Sequence, residues 1–298
     1  MNSKMTFCVS CYNSLPFLKL AVKSVRKNSY YNESPFIVFA DGCNDGTDEW
    51  LRENEDKYNL TLIIEPRSEH SSNGYGMNRV AELVETEYIN FVHADMYVAP
   101  NWDLKLLEEI EKYSDDERVL ISSYRFQPNL FYDGNEPDRP GTVMVNPKDF
   151  GDTTETFNVE LFEREATDFQ ERHKLINFPK AEGCSFIIKK RDWDYIGGND
   201  LRFKPNGWED MDLFLRMRND GFKYKVIGSS VVYHFAGRGG NGFFGDKLGK
   251  RNESNKNGEE KTFREFVKKW GGDALKDEFG MICGILPLPE TLKEDNNE

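Results

Sequence analysis

Short apolar runs alternate with stretches of helical spacing over the first 125 residues, and this rhythm constrains the fold more than any other feature. Met5–Ser10 reads as a buried strand, and Pro16–Lys27 carries Leu18, Ala21, Val22 and Val25 at helical spacing. Further strands are expected at Phe36–Ala40, Leu60–Ile64, Tyr88–Val92 and Arg118–Ser122. Helices are expected between them at Asp48–Lys57, Met77–Glu85 and Trp102–Tyr113. Such an order predicts an α/β chain with a mostly parallel sheet covered by helices on both faces. Ligands of these sheets collect at the carboxyl ends of the strands. Asp41 and Asp95 each follow a predicted strand, so both point to that crevice.

Residues 126–180 break the rhythm. Pro128, Pro137, Pro140, Pro147 and Pro179, with interspersed Gly, Asp and Asn, read as a long excursion beside the crevice rather than as core structure. Order resumes with a strand at Cys184–Ile188, a helix after Trp208 and a last strand at Val226–His234. The glycine- and charge-rich stretch from Gly237 to Gly258 reads as a mobile, lid-like segment. Phe263–Trp270 reads as a short amphipathic helix, and Lys293–Glu298 as a disordered acidic end. No internal repeat is present.

The 298 residues, 38% hydrophobic and 13% aromatic, suit a folded globular protein. A net charge of −13 argues against a general nucleic-acid binder. It also means that a phosphate-bearing ligand would need a divalent cation beside it. Met1–Cys8 lacks a signal-peptide core, and no apolar run approaches the ~20 residues of a membrane span. Five scattered cysteines suit a reducing compartment, so the expected location is cytoplasmic. Cys8 and Cys11 form a lone C-x-x-C, but strand residues three apart face opposite sides, which argues against zinc.

Four segments carry chemistry. Gly207-Trp208-Glu209-Asp210-Met211-Asp212-Leu213 sets three carboxylates at the mouth of a helical pattern. Capping and the helix dipole explain one of them, and a carboxylate held there beside a tryptophan is also a candidate general base. In His93-Ala94-Asp95, Asp95 either binds a metal or begins a turn before Pro100. His93 is a metal-shell group, a phosphate contact or a packed core residue. His234 ends a strand before a glycine-rich loop and suits a metal ligand. The turn Asp41–Gly46 superficially resembles a calcium loop, but Cys43 and Arg52 stand at its third and twelfth positions, where oxygen ligands are needed. Asp41 is better read as an acceptor for an N–H of a bound base, and Asp45 as a cap for the helix from Thr47.

The ordered set resembles the family 2 glycosyltransferases of the GT-A (Rossmann-like) fold over most of residues 5–235. The segments that carry the resemblance are Val9-Ser10-Cys11-Tyr12-Asn13-Ser14, Phe39–Thr47 around Asp41-Gly42, Asn73-Gly74-Tyr75-Gly76-Met77-Asn78, Gly197–Asp200, Trp208–Leu213 and His234. Phe266-x-x-Lys269-Trp270-Gly271 matches a tail seen in some members. The resemblance implies a catalytic domain over 1–235, with a nucleotide-binding half (1–125), an acceptor-side insertion (126–180) and an acceptor half (181–235). A loop, a short C-terminal helical tail and the acidic end fill 236–298. It implies a nucleotide-sugar donor, with a UDP-sugar favoured, contacted by Cys11, Tyr12, Asn13, Asp41, Asn73, Asn78, His93, Ala94 and Asp95. Asp95 and His234 would hold Mn²⁺ or Mg²⁺, and Asp210 would be the base, assisted by Glu209, in an inverting displacement. Trp208, Glu209 and Gly183 would line the site of a glycan or small-molecule acceptor. The chain departs from many members in having His93 in place of an aspartate and Met96 in place of a further acid. Two other readings follow from those departures and from the metal-and-sheet chemistry: a binding module that has lost catalysis, and a nucleotidyltransferase.

Overall fold

The computed structural model describes residues 3–69, 71–128, 148–181, 183, 185–205, 207–235, 253–278 and 281–287. The first half runs β1 (Met5–Cys11), α1 (Leu15–Asn28), β2 (Phe36–Asp41), α2 (Thr47–Tyr58), β3 (Leu60–Glu65), α3 (Asn73–Glu82), β4 (Tyr88–Val92), β5 (Met96–Val98), α4 (Trp102–Ile110) and β6 (Val119–Phe126). The second half continues with α5 (Val159–Arg172), β7 (Asn177–Phe178), β8 (Ser185–Lys189), α6 (Lys190–Ile196), α7 (Glu209–Asn219), β9 (Lys223–His234), α8 (Glu253–Trp270), β10 (Gly272–Lys276) and β11 (Ile282–Pro287).

A nine-stranded sheet forms the centre, in the order β3-β2-β1-β4-β8-β6-β9-β5, with β7 on β9. Strands β1, β2, β3, β4, β6 and β9 point one way, while β5, β7 and β8 run against them. The sheet is therefore mostly parallel, as the alternation predicts. Its central strands are buried almost throughout and mainly apolar because helices cover both faces. Cys8 and Cys11 show the consequence of the two-residue strand period, since Cys8 packs in the core under α3 and Cys11 in the core under α1. They are not a metal pair.

Residues 159–172 differ from the expectation of an excursion without core structure. Asn158 caps α5 by accepting from the Leu161 amide at 3.0 Å. Phe162, Ala166 and Phe169, one helical face, are buried with Phe126, Phe150, Phe157, Tyr233 and Phe235 in a third aromatic core. Few apolar positions mark the helix among its charged residues, and nearby prolines hide it. Of the stretch 237–258 expected to be loop-like, residues 253–258 are instead the first turns of α8. Residues 237–252 and Lys293–Glu298 lie outside the described residues. α3 begins at Asn73, four residues before the expected start, because Ser72 caps it by accepting from the Tyr75 amide at 3.0 Å. Short β5 and the β10–β11 hairpin carry too few periodic residues to be read from sequence. Among the described residues, no helix is long and apolar enough to cross a membrane.

Candidate active site

Six strands run in one direction, so their carboxyl ends bring Tyr12, Asp41, the segment after Glu65, Asp95, Arg125 and His234 to one edge of the sheet. Two groups of side chains gather there, and a third approaches from α7.

The first group surrounds Asp41, which is buried at 4% exposure. Ser71 Oγ donates to Asp41 Oδ1 at 2.5 Å, and Arg67 approaches Oδ2 at 3.5 Å. Burial holds the Asp41 carboxyl above its ordinary range, opposed by the Ser71 hydrogen bond and the Arg67 charge. The same Arg67 guanidinium lies 3.7 Å over the Tyr12 ring. Arg67 and Ser71 were missed in the sequence; their only signal was a place just past the end of a predicted strand. Asn13 takes a left-handed backbone at φ 45°, fixed by the Asn44 amide donating to its Oδ1 at 2.8 Å. Asp45 accepts from the Thr47 amide and hydroxyl at 3.2 and 2.6 Å, and from the Leu15 amide at 3.0 Å, so it ties the starts of α1 and α2 together. Asn78 is occupied differently. Its amide bonds Asn199 O and N, each at 2.9 Å, and fastens α3 to the 197–199 turn. A Cβ on Gly198, at φ +61°, would meet Asn78 Oδ1 at 2.4 Å, so that turn requires glycine.

The second group is His93, Asp95 and His234, whose ligand atoms all lie within 4.8 Å of one another. β5 turns back from Asp95 and pairs Met96 with His234, which delivers His234 to the same point. His234 Nε2 is 3.5 Å from Asp95 Oδ1. His93 Nε2 and His234 Nδ1 are buried without a hydrogen-bond partner among the described residues. Burial, with the charges of His234 and Arg125, pushes the His93 pKa down to about 4, against the pull of Asp95. A neutral imidazole keeps a lone pair available, and a carboxylate with orphaned imidazole nitrogens fits a divalent cation. Ala94 offers only its backbone here, because its side chain is buried in the core under α1.

The third group is the start of α7. Trp208 precedes the helix with φ 66° and packs between Phe263 and Phe266 of α8, at 4.8 and 5.0 Å. Asp212 is fully buried, bonded to Arg216 at 2.8 Å, Trp270 at 2.9 Å and Lys269 at 2.6 Å, and so anchors α8 to α7. Asp210 Oδ1 accepts the Met211 amide at 2.8 Å. Glu209 is hydrogen-bonded by Asn73 from α3, while its Oε2 is buried without a partner among the described residues. Gly183 joins the second and third groups. Its backbone hydrogen-bonds the His93 ring, and a Cβ built on it would stand 3.5 Å from Asp210 Cβ.

Burial first, and then the Asp210 charge, push the Glu209 pKa up to about 8. The unfolded chain loses this proton near pH ~4.3, whereas the folded chain keeps it to about 8. Stability from this group is therefore complete below the unfolded value and declines as pH rises towards the folded value. Glu209→Gln is expected to flatten that decline, which can reach ~1.4 kcal/mol per pH unit. Urea unfolding at pH 5, 6, 7 and 8 checks it, and parallel slopes for both proteins would refute it.

Against known proteins, the glycosyl transferase family 2 model matches residues 6–167, more than half of the chain. The processive diacylglycerol beta-glycosyltransferase of Mycoplasma genitalium is 31% identical over 125 residues, covering 41% of this chain and 36% of that protein. The structure of GalNAc-T7 with UDP, GalNAc and Mn²⁺ has a TM-score of 0.56 at 17% identity, covering 77% of this chain and 43% of that one. The mannosyltransferase PcManGT from Pyrobaculum calidifontis, solved with GDP-Man and Mn²⁺, has a TM-score of 0.51 at 15% identity, covering 78% of this chain and 56% of that one. The chain spans about a third of the length of the curated relatives it matches. The solved structures share its GT-A fold, a mixed α/β sheet flanked by helices. With the sheet order, the strand-end clusters and the family match in agreement, the chain belongs to glycosyl transferase family 2.

Proposed function

We propose that the chain transfers a glycosyl group from a nucleotide-sugar donor, with a UDP-sugar favoured, to an acceptor hydroxyl with inversion. The observation that carries this reading is Gly183, which has the His93–Asp95–His234 cluster on one side and Asp210 on the other. That spacing suits a departing diphosphate at the cluster and an attacking hydroxyl at Asp210.

In this reading Asp41 accepts an N–H of the base, and Tyr12 and Arg67 offer their stacked faces to it. Cys11 and Asn13 shape the donor turn through their backbone, as does Ala94. Asp95 and His234 hold Mn²⁺ or Mg²⁺, with His93 within reach of the same ion. When bound, the cation neutralises charge on the leaving nucleoside diphosphate. Asp210 takes the acceptor proton as the hydroxyl attacks the anomeric carbon from the face opposite the diphosphate. Glu209, neutral at pH 7 because of its raised pKa, donates a hydrogen bond from its free carboxyl edge to the acceptor. Asn73 orients Glu209 from α3, Asn78 acts on the donor through α3, and Trp208 holds the turn that aims both acids. Names of related proteins support donor chemistry with UDP, GalNAc or GDP-mannose and Mn²⁺.

A thermal-shift panel of nucleotides and nucleotide sugars with Mn²⁺ ranks donors, because a ligand at 100 times its Kd adds ~2.7 kcal/mol of stability. Mass spectrometry of the turnover products then identifies the reaction. Free nucleoside diphosphate supports transfer, pyrophosphate supports a nucleotidyltransferase, and donor binding with no product from any acceptor supports a binding module.

A further inference from the structure

Cys11 ends β1, and Cys43 stands on the loop after β2, two residues past Asp41. The Cys43 side chain packs against Cys11, with its sulfur on the Cys11 carbonyl, although the two are far apart in sequence. Cys11 is buried at the end of β1, where its Sγ donates to Phe39 O at 3.3 Å. Cys43 is half-buried and reachable from solvent. Its sulfur accepts the Asn13 amide at 3.4 Å and donates to Cys11 O at 3.9 Å. The other described cysteines are placed elsewhere: Cys8 faces the opposite core, and Cys283 donates to Leu275 O at 3.3 Å. The two sulfurs are thus selected for each other by the sheet, since β1 and β2 pair in parallel up to Cys11 and Ala40.

We propose that Cys11 and Cys43 form a peroxide-responsive dithiol that closes to an intramolecular disulfide and locks the loop after β2 to the end of β1. The neighbouring Cys11 thiol and the Asn13 amide donated to its sulfur favour the Cys43 thiolate, while the contact with Cys43 and then burial disfavour charge on Cys11. Cys43 is therefore the attacking sulfur and Cys11 the resolving one. The Cys43 thiolate attacks one oxygen of a hydroperoxide, and the O–O bond breaks. A sulfenic acid forms, and the departing hydroxide takes up the proton that Cys43 released. The Cys11 sulfur then attacks the Cys43 sulfur, the S–O bond breaks, and the hydroxyl leaves as water with the Cys11 proton. Two electrons have passed from the sulfurs to the peroxide, and an external thiol reverses the reaction.

The bond has a consequence for the neighbouring residues. A disulfide draws the sulfurs to about 2 Å, shorter than any hydrogen-bonded thiol contact. The sulfur that accepts the Asn13 amide must move with it, and so must the turns carrying Tyr12 and Asp41. Nucleotide binding is expected to weaken by about tenfold or more on oxidation. This second effect rests on the reading of Tyr12 and Asp41 as base contacts; the disulfide itself does not.

The test treats the reduced full-length chain with hydrogen peroxide, blocks free thiols with N-ethylmaleimide and maps peptides by mass spectrometry. The expected product is a Cys11–Cys43 peptide pair that dithiothreitol separates. It is absent from Cys43→Ser, and Cys11→Ala should instead accumulate a Cys43 sulfenic acid that dimedone traps. UDP binding with Mn²⁺ should fall in oxidised wild type and recover on reduction. Peroxide-treated Cys43→Ser should bind UDP as its own untreated form does. Both thiols still labelled after peroxide, irreversible oxidation of Cys43 without pairing, or pairing with another cysteine would overturn the proposal. A complete disulfide with unchanged UDP binding would overturn the coupling. A reduced protein that binds no UDP would instead refute the nucleotide reading, and the peptide map would still decide the disulfide.

Discussion

Asp210→Asn is expected to lower the turnover number by roughly 10²–10⁴-fold, the usual worth of a positioned general base. The substitution preserves shape and retains a carbonyl oxygen that can accept the Met211 amide, so the start of α7 should stay folded. Donor binding should survive, because Asp210 lies against Gly183 and is not one of the three clustered groups His93, Asp95 and His234. Thermal stabilisation by UDP and Mn²⁺ should therefore match wild type while product formation collapses. The substitution also removes the charge that, after burial, raises the Glu209 pKa. Residual activity should consequently show a pH profile moved to lower pH, which a purely structural defect would not produce. A turnover number within a few-fold of wild type would end the assignment of Asp210 as the base.

The parts of this protein that were legible in the sequence are those carried by local periodicity. β1, β2, β3 and β4 are short runs dominated by apolar residues, and α1 repeats buried residues every three or four positions, so chain order alone exposes them. The carboxyl ends of those strands follow, and with them Asp41 and Asp95. α5 was hidden because its burial depends on an aromatic core assembled from residues 126, 150 and 235, which local spacing cannot announce. Arg67 was hidden for a related reason. A lone arginine in a loop has no pattern, and only the fold lays it across Tyr12 and Asp41. The convergence of His93 with His234 needed the return of β5 beside β9, a three-residue pairing too short to read. Asp212 shows the converse case, since the acid cluster was visible while its division of labour depended on Lys269 and Trp270 arriving from α8.

Asp95→Ala is expected to abolish the metal-dependent part of donor binding and to cut turnover by at least ~100-fold. The backbone of this position should hold, because Asp95 O accepts the Phe235 amide at 2.9 Å independently of the side chain. A loss of activity would therefore report the carboxylate and not a collapsed turn. Of the clustered groups, Asp95 alone brings formal negative charge, whereas His93, with its pKa pushed down to about 4, is neutral at working pH. Removing Asp95 leaves imidazole nitrogens that bind Mn²⁺ and Mg²⁺ poorly, since both ions prefer oxygen donors. His234→Ala keeps that oxygen and should cost less, with weakened affinity that added Mn²⁺ partly restores. EDTA should silence the wild type, and excess Mn²⁺ should return its activity but not that of Asp95→Ala. If donor turnover proceeds at the full rate in EDTA, and equally fast in Asp95→Ala, the cation has no role at this cluster.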